Sequence, residues 1–153
     1  MFGKIMIAAV AGAALSVSTC AFAQQAKYGT AAEAKAMLDK VIVAVKADKT
    51  KALEMFNKGE GGFKDRDLQP FCSQVSDGKL VATTVPSLLG TDARAMKDKA
   101  GKAFGAEIIA VAVEGKVAEV SYSFPRPGEA EPVPKVSYVT RIGDLACGVG
   151  YYK

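Results

Sequence analysis

The clearest pattern of apolar and polar positions lies in the last third of the chain. Apolar and polar residues alternate from Lys116 to Phe124, and this two-residue period predicts a strand with one buried and one wet face. β-branched and aromatic residues favour a second strand from Val136 to Ile142. A third is predicted from Leu145 to Tyr151, with Gly143-Asp144 as the tight turn between the last two. The three strands should form a meander.

The third strand has faces of unequal bulk. The larger side chains share one face, namely Leu145, Cys147, Val149 and Tyr151. Small residues occupy the other, namely Ala146, Gly148 and Gly150. A face of this kind lets another part of the molecule pack closely against the backbone.

The N-terminal half opens with helical spacing. Apolar residues recur on one side from Thr30 to Lys46, which predicts an amphipathic helix of about four turns. Asp48 is a suitable cap for a second helical segment, which Gly59 should end. The pattern leaves open whether the two segments form one kinked helix or two helices.

A hairpin follows. Apolar runs from Leu68 to Val75 and from Leu80 to Thr84 flank Asp77-Gly78, a strong turn signal. Pro70 falls inside the first run, so that strand should lie at a sheet edge or begin after the proline.

Residues 86–114 are predicted to form a helical insert. Asp92 should cap a short helix that runs through Lys97, and the run from Ala103 to Val113 should form a mostly buried helix. Gly101 and Gly105 weaken helix formation, which suggests a loop between two short helices.

A proline-rich stretch from Pro125 to Pro134 should be a long connection between the first two meander strands. It is a candidate lid or partner surface, and a plain solvated loop is the alternative. The predicted fold is α+β, a five-stranded antiparallel sheet with the long N-terminal helix on one face and the helical insert on the other.

The first residues are typical of an export signal. Lys4 precedes an apolar run, and Ala21-Phe22-Ala23 is a small-x-small cleavage site, so residues 1–23 should be a signal peptide cleaved after Ala23. An uncleaved anchor is the rival, but the run is shorter than the roughly 20 residues of a membrane span. Lipoprotein processing at Cys20 is a further alternative. Residues 24–30 are then a polar lead, and residues 31–153 a single domain.

Composition excludes several function classes. The net charge of +4 is spread along the chain without a basic block, so nucleic-acid binding is not expected. No later stretch is long and apolar enough for a membrane span, and the product should be a soluble periplasmic protein. With no histidine, a histidine-ligated zinc site and a Ser-His-Asp triad are ruled out. We find no cofactor motif and no activated nucleophile, and therefore predict no catalytic residue, metal or enzyme activity.

Two cysteines remain after the expected cleavage, Cys72 and Cys147. The compartment favours oxidation and only one pairing is possible, so a structural disulfide is predicted between the hairpin and the last strand.

Several segments, in their order and spacing, resemble the single Cache domain of type 2, an extracytoplasmic relative of the PAS fold. The matching segments are Val75-Ser76-Asp77-Gly78-Lys79 with Leu80-Val81-Ala82, Leu89-Gly90-Thr91-Asp92, Lys97-Asp98-Lys99-Ala100-Gly101, Gly115 with Val120-Ser121-Tyr122, Pro134-Lys135-Val136-Ser137-Tyr138-Val139, and Gly148-Val149-Gly150-Tyr151. The resemblance covers about Ala31 to Tyr152. It implies a small-metabolite pocket between the sheet and the insert.

Five residues are candidates for that pocket. Tyr122 and Tyr138 lie on adjacent strands and could each donate one directed hydrogen bond, with ordinary core packing as the alternative. Arg94 and Lys135 could pair with an anion, with a solvated surface charge as the alternative. Lys135 and Tyr138 have opposite strand parity and should point to opposite faces, unless a bulge intervenes or Lys135 lies at the rim. Asp98 resembles a pocket-shaping residue, and a helix N-cap is the plainer interpretation.

The resemblance implies binding of a short carboxylate or an amino acid for sensing. No second membrane helix or signalling domain follows the last strand, so signalling is expected to need a membrane sensor partner. The alternative is a structural or interaction protein that acts through the proline-rich loop or a sheet edge.

Overall fold

The structure is a computed structural model that describes residues 26–153. The expected signal peptide, its cleavage after Ala23 and the alternative at Cys20 lie outside this range. The helices are α1 (Ala31–Ala47), α2 (Lys49–Lys58) and α3 (Phe104–Val111), and the strands are β1 (Pro70–Gln74), β2 (Leu80–Ala82), β3 (Ala118–Pro125), β4 (Pro132–Ile142) and β5 (Leu145–Tyr152). Within the described range, no helix combines the length and apolar character that a bilayer crossing requires.

The five strands form one antiparallel sheet in the order β2-β1-β5-β4-β3. The predicted fold class is therefore confirmed. Both alternatives for the first hairpin strand are wrong, because β1 lies between β2 and β5 and begins at Pro70 rather than after it. Pro70 is the first residue of β1, where a missing backbone donor costs least, and the short β2 forms the edge.

Local sequence sets the ends of the first two helices. Thr30 and Glu33 form a reciprocal capping box at the start of α1. Asp48 has extended backbone angles, φ −157° and ψ 99°, and its side chain accepts a hydrogen bond from the amide of Lys51. It therefore divides the segment into two helices. Gly59 ends α2 at φ 69°, a left-handed conformation that favours glycine.

The face of the sheet that α1 and α2 cover, here called the α1 face, carries the larger apolar core. Leu38, Val41 and Phe56 are fully buried against it. Cys72 and Cys147 are directly paired residues of β1 and β5, with Cα atoms 4.1 Å apart, and they form the predicted disulfide in this core. The bond joins two neighbouring strands that are 75 residues apart in sequence.

The insert, residues 86–114, crosses the opposite face, here called the insert face. Its first predicted helix is only a 3₁₀ turn, Ala93–Ala95, capped by Asp92. The second is α3, which is shorter than predicted. Gly105 lies inside α3 rather than in a loop. A Cβ at this position would collide with the carbonyl oxygen of Ala93. The glycine lets α3 pack closely against the preceding turn.

The connection between β3 and β4 is shorter than the proline-rich pattern suggested. Pro125 pairs with Pro132, so only residues 126–131 connect the strands. β4 extends beyond the end of β5, which it last meets at the pair of Lys135 and Tyr152. Pro132 and Pro134 therefore have β3 as their one neighbouring strand, although the carbonyl of Pro134 also accepts from the amide of Lys153, and a strand tolerates proline in such a place.

Candidate ligand-binding site

A cavity of about 40 Å³ lies between the sheet and the insert. We call it the insert cavity. Its walls are mostly apolar and include Phe71, Met96, Phe104 and Ile108. The polar residues that line it are Ser73, Thr83, Thr84, Tyr122 and Lys135. An apolar cavity with a few polar groups is typical of small-molecule sites.

Strand register places three long polar side chains in one row under the insert. Lys135 on β4 is paired with Tyr122 on β3 and with Tyr152 on β5. Directly paired residues point to the same side of a sheet, so all three lie on the insert face. Ser137 and Gly150 form the next pair on that face. The site is therefore built on three adjacent strands.

Lys135 is held in this row by the small residue beside it. A Cβ at Gly150 would collide with Cε of Lys135 and with Oγ of Ser137, so the lysine stem lies across the glycine. The small face of β5 thus accommodates side chains from its neighbours: Lys135 at Gly150, and Phe71 at Gly148. The Lys135 ammonium donates to the Tyr152 hydroxyl at 3.3 Å and lies 4.7 Å from the centre of that ring.

Lys135 is a buried cation without a close counter-ion. Its exposed fraction is 5%, and no carboxylate within residues 26–153 comes within 4 Å of its ammonium. Burial lowers the pKa of Lys135 from its ordinary 10.5 to about 8, and the more distant charge of Asp67 opposes that change. Lys135 is therefore mostly protonated at neutral pH and can pair with a bound anion.

Tyr122 supplies a neutral polar group beside the lysine. Its hydroxyl and that of Ser137 share a hydrogen bond of 2.8 Å, and its ring stacks on Phe104 with centroids 4.3 Å apart. Burial raises the pKa of Tyr122 to about 12. The phenol therefore stays protonated throughout the physiological range, with its orientation fixed by Ser137 and Phe104.

Tyr138 does not join this site. It has the opposite parity to Lys135 and lies on the α1 face, where its ring stacks on Tyr151 with centroids 5.9 Å apart. The β4 pairing is regular from Lys135 to Ile142, so no bulge brings the two residues to one face. Its selection as a pocket residue is corrected on this ground.

Arg94 and Asp98 also lie outside the cavity lining. The guanidinium of Arg94 donates to both carboxylate oxygens of Asp92 and to the carbonyl of Asp77, which fastens the insert to the β1–β2 turn. Asp98 accepts from the amides of Ala100 and Lys102, and its other oxygen accepts from Ser123 on β3. These backbone bonds, that of Lys102 foremost, lower the pKa of Asp98. It stabilises a loop and is not the N-cap of α3.

Sequence reasoning missed Ser137, Tyr152 and Phe104. Ser137 could have been found, because it has the same strand parity as Lys135 and lies on the same sheet face as the small residues of β5. The predicted last strand ends at Tyr151, one residue before Tyr152. Phe104 lies on α3, and no sequence pattern indicated that its ring would stack on Tyr122.

The side chains in and around the insert cavity comprise one cation, two phenols and several hydroxyls, beside walls that are otherwise apolar. Groups of these kinds can hydrogen-bond and pair with a small polar molecule. Within residues 26–153, no group of three or more Cys, Asp or Glu side chains is placed to hold a metal ion.

A five-stranded antiparallel sheet with helices on both faces and a small cavity under the insert defines the PAS-like class of sensor domains. A family model described as Single Cache domain 2 matches residues 21–151, and the chain belongs to this family. No curated protein sequence matches significantly.

Similar solved structures come from chemotaxis. A methyl-accepting chemotaxis protein from Vibrio parahaemolyticus RIMD 2210633 is 24% identical, with a TM-score of 0.65 over 79% of this chain and 86% of that one. The periplasmic sensor domain of a chemotaxis protein is 23% identical, with a TM-score of 0.59 over 78% and 87% of the two chains. A Cache chemosensory domain reported for carboxylic acid recognition is 24% identical, with a TM-score of 0.59 over 78% and 85%. At these identities the likeness supports the fold.

Proposed function

We propose that this protein is an exported sensor domain that binds a short carboxylate in the insert cavity. The observation that carries the proposal is Lys135, whose buried ammonium has no carboxylate within 4 Å in residues 26–153. A buried charge without a partner is costly, and a bound anion would supply the missing partner. The charge-assisted hydrogen bond thus formed is among the strong ones.

The size of the insert cavity favours a small ligand. A volume of about 40 Å³ leaves room for a few water-sized groups. The carboxylate would approach Lys135, and a short alkyl chain would lie against the rings and aliphatic side chains of the wall, such as Phe104 and Ile108. Longer chains would require the insert to move.

The same lining favours a plain carboxylate over an amino acid. None of the residues that line the insert cavity is an aspartate or a glutamate. The ammonium of an amino acid would therefore be desolvated without a counter-ion beside it. We propose that the cavity selects against this group, as expected of a site that contains only a cation.

We further propose that the domain acts in the periplasm together with a membrane sensor protein. The apolar leader of residues 1–23 and the Cys72–Cys147 disulfide support export. The solved structures it resembles include a periplasmic sensor domain of a chemotaxis protein, which supports a receptor context. Cell fractionation and intact-mass measurement test this. We expect the protein in the periplasmic fraction, with a mass that corresponds to a chain beginning at Gln24. A cytoplasmic protein that keeps residues 1–23 would contradict the proposal.

The alternative of an interaction protein has less support. The outer edge of β3 is occupied by the insert, since Lys102 donates to the carbonyl of Ser121 and Asp98 accepts from the amide of Ser123. An edge closed in this way is a poor surface for strand addition. The proline-rich connection is also short, at residues 126–131.

Calorimetry with propionate, propionamide and alanine tests the ligand class. We expect propionate to bind, and the neutral amide to bind at least about tenfold more weakly because it lacks the charge-assisted bond to Lys135. Alanine should also bind this cavity weakly, because its ammonium finds no counter-ion there.

Two variants locate the binding. Lys135→Met should abolish propionate binding, whereas Lys40→Met, which removes an exposed lysine of α1, should leave it unchanged. Equal binding of propionate and propionamide, or propionate binding that survives Lys135→Met, would refute the proposal.

A further inference from the structure

A second cavity, of about 200 Å³, lies where the segment before α1 meets the β3–β4 connection. We call it the N-terminal cavity. The residues that matter here are Lys27 and Tyr28 from the leading segment, Asp67 from the chain before β1, and Arg126 and Glu129 from the connection. It is larger and more open than the insert cavity, and its lining carries charges of both signs.

Arg126 is held in this lining, but its guanidinium donors are not used in hydrogen bonds within the described part of the fold. Its guanidinium carbon lies 4.2 Å from the ring centre of Tyr28 and 5.1 Å from that of Tyr152, so the group is held between two aromatic rings. Within residues 26–153 Arg126 makes no side-chain hydrogen bond, and its Nε atom is buried without one. A guanidinium fixed in this way is suited to bind a carboxylate in a bidentate manner.

Asp67 is the second unsatisfied group. Its side chain is 6% exposed and lies 3.7 Å from Nε of Arg126, measured from Oδ2. Oδ1 accepts from the amide of Gly29 at 2.7 Å, whereas Oδ2 has no hydrogen-bond partner in the described chain. Buried ionised groups are normally fully hydrogen-bonded, so this pair indicates a site that is incomplete without a further molecule.

Arg66 in the same lining shows the contrast. Its guanidinium forms salt bridges with Glu33 and Asp65 and donates to the carbonyls of Ala26 and Tyr28. Its Nε and Nη2 atoms donate to the carboxylate of Asp65, and Nη1 donates to the leading segment, so all three nitrogens are engaged. Arg66 therefore builds the wall of the N-terminal cavity, whereas Arg126 has only the 3.7 Å ion pair with Asp67 and keeps donors for a ligand.

The charges of the lining indicate the ligand class. Lys27 and Arg126 are positive, and Asp67 and Glu129 are negative. Arg126 and Glu129 belong to one turn, in which the amide of Glu129 donates to the carbonyl of Arg126 at 2.9 Å, and both residues line the cavity. A simple anion would lie near the negative side chains and a simple cation near the positive ones. In a small zwitterion, the negative group can pair with a positive side chain and the positive group with a negative one.

We propose that the N-terminal cavity is a second binding site and that it takes a small zwitterion of the α-amino acid type. The ligand carboxylate pairs with the guanidinium of Arg126, and its ammonium pairs with the carboxylate of Glu129 in the field of Asp67. The site thus has the opposite preference to the insert cavity, which contains a cation without an acidic counterpart.

The experiment is a titration of ¹⁵N-labelled protein with glycine, acetate and methylammonium, followed through backbone amide shifts. Glycine should shift the amides of Tyr28, Gly29 and Gly128 in a saturable manner. Acetate and methylammonium each carry half of the ligand's charge and should bind there at least about tenfold more weakly. The amides of Ser137 and Gly150 report on the insert cavity, so the two sites are followed separately.

Variants test the named charges. Arg126→Gln and Glu129→Gln should each weaken glycine binding at least about tenfold. Glu129 is exposed in the connection, so its substitution leaves the fold intact even if Arg126→Gln loosens the leading segment. Arg141→Gln removes an exposed arginine of β4 that lines neither cavity, and it should leave glycine binding unchanged.

Three results would overturn the proposal. They are the absence of saturable shifts with glycine, equal binding of acetate and glycine at these amides, and glycine binding that is insensitive to Glu129→Gln. The second result would mark a simple anion site at Arg126, and the third would place the ligand elsewhere.

Discussion

The two faces of the sheet are packed according to different rules. On the α1 face, α1 and α2 bury a continuous apolar core that includes Leu38, Val41 and Phe56, together with the disulfide. On the insert face, the apolar cluster is smaller, and it surrounds Lys135 and the insert cavity. One face is filled by hydrocarbon, and the other contains a buried charge and empty space.

This difference separates stability from function. Apolar burial and the disulfide stabilise the α1 face, whereas the charge and the cavity on the insert face each cost free energy. A site that must receive a ligand needs both of these unfavourable features. The sheet tolerates them because its opposite face is well packed, so substitutions on the two faces should have different consequences.

The largest expected effect comes from the disulfide of the α1 face. Replacing Cys72 and Cys147 together by alanine removes a crosslink across 75 residues, and we expect the free energy of unfolding to fall by about 4 kcal/mol. Urea unfolding of the variant and the oxidised parent measures this loss. Propionate affinity, measured well below the unfolding transition, should change little. A large loss of affinity in a folded variant would contradict the separation of the two faces.

The next effect has the opposite sign and lies on the insert face. Because burial lowers the pKa of Lys135 from 10.5 to about 8, the buried charge costs about 3 kcal/mol at neutral pH. Lys135→Met should therefore raise the free energy of unfolding by up to about 3 kcal/mol while it abolishes propionate binding. Urea unfolding at pH 7 tests this, with Lys40→Met as the neutral control. A destabilised Lys135→Met protein would show that the charge is already compensated.

A matched pair of truncations compares the packing of the two faces. Ile108→Ala removes part of the cavity wall, and Leu38→Ala removes part of the α1-face core; each should cost about 2 to 4 kcal/mol. Only Ile108→Ala should shift ligand preference from propionate towards longer chains such as valerate, because it enlarges the insert cavity. Calorimetry with a series of fatty acids decides this, and the same shift in Leu38→Ala would contradict it.

The smallest effect is a pH dependence confined to the insert face. Between pH 8 and 10 the unfolded chain keeps the Lys135 proton longer than the folded protein, so the stability of the parent relative to Lys135→Met should rise by up to about 1.4 kcal/mol per pH unit. Propionate affinity should fall by up to about tenfold per pH unit above pH 8, because neutral lysine cannot pair with the anion. Parallel measurements on both proteins test the two trends.

Above pH 10 the tyrosines make the slope of stability against pH negative. Burial raises the pKa of Tyr122 to about 12, so the unfolded chain loses that proton first and stability falls as pH rises. The comparison is therefore limited to pH 8–10. A flat stability difference between the parent and Lys135→Met in that window would show that Lys135 titrates near its ordinary pKa.

Most of the fold could be predicted because its signals are local. The capping residues Thr30 and Asp48, the turn at Asp77-Gly78 and the alternation along β3 each act within a few residues. The errors occurred where a neighbouring strand determines whether a residue is tolerated. Pro70 was compatible with an edge strand, yet β1 is an inner strand, which tolerates the proline because it is the first residue. The prolines near residue 132 lie where β4 has one neighbouring strand.

The candidate site was predicted less well. Strand parity correctly set Lys135 and Tyr138 on opposite faces, but it did not indicate which of them the insert would cover. Arg94 and Asp98 lie in the insert and were natural candidates, yet nearby backbone groups and Asp92 engage them. A polar residue's availability depends on partners that are distant in sequence.

By itself, the sequence determined the order of helices and strands and the small face of β5, because these follow from periodicity, caps and residue size. It also predicted the pairing of Cys72 with Cys147, on the expectation that cleavage removes Cys20. Tertiary structure alone decided that Lys135 is buried with no carboxylate of residues 26–153 within 4 Å of its ammonium, and that Arg126 lies against the rings of Tyr28 and Tyr152. The physical reason is that desolvation and charge pairing depend on which surfaces meet, and strands far apart in sequence meet only when the sheet closes.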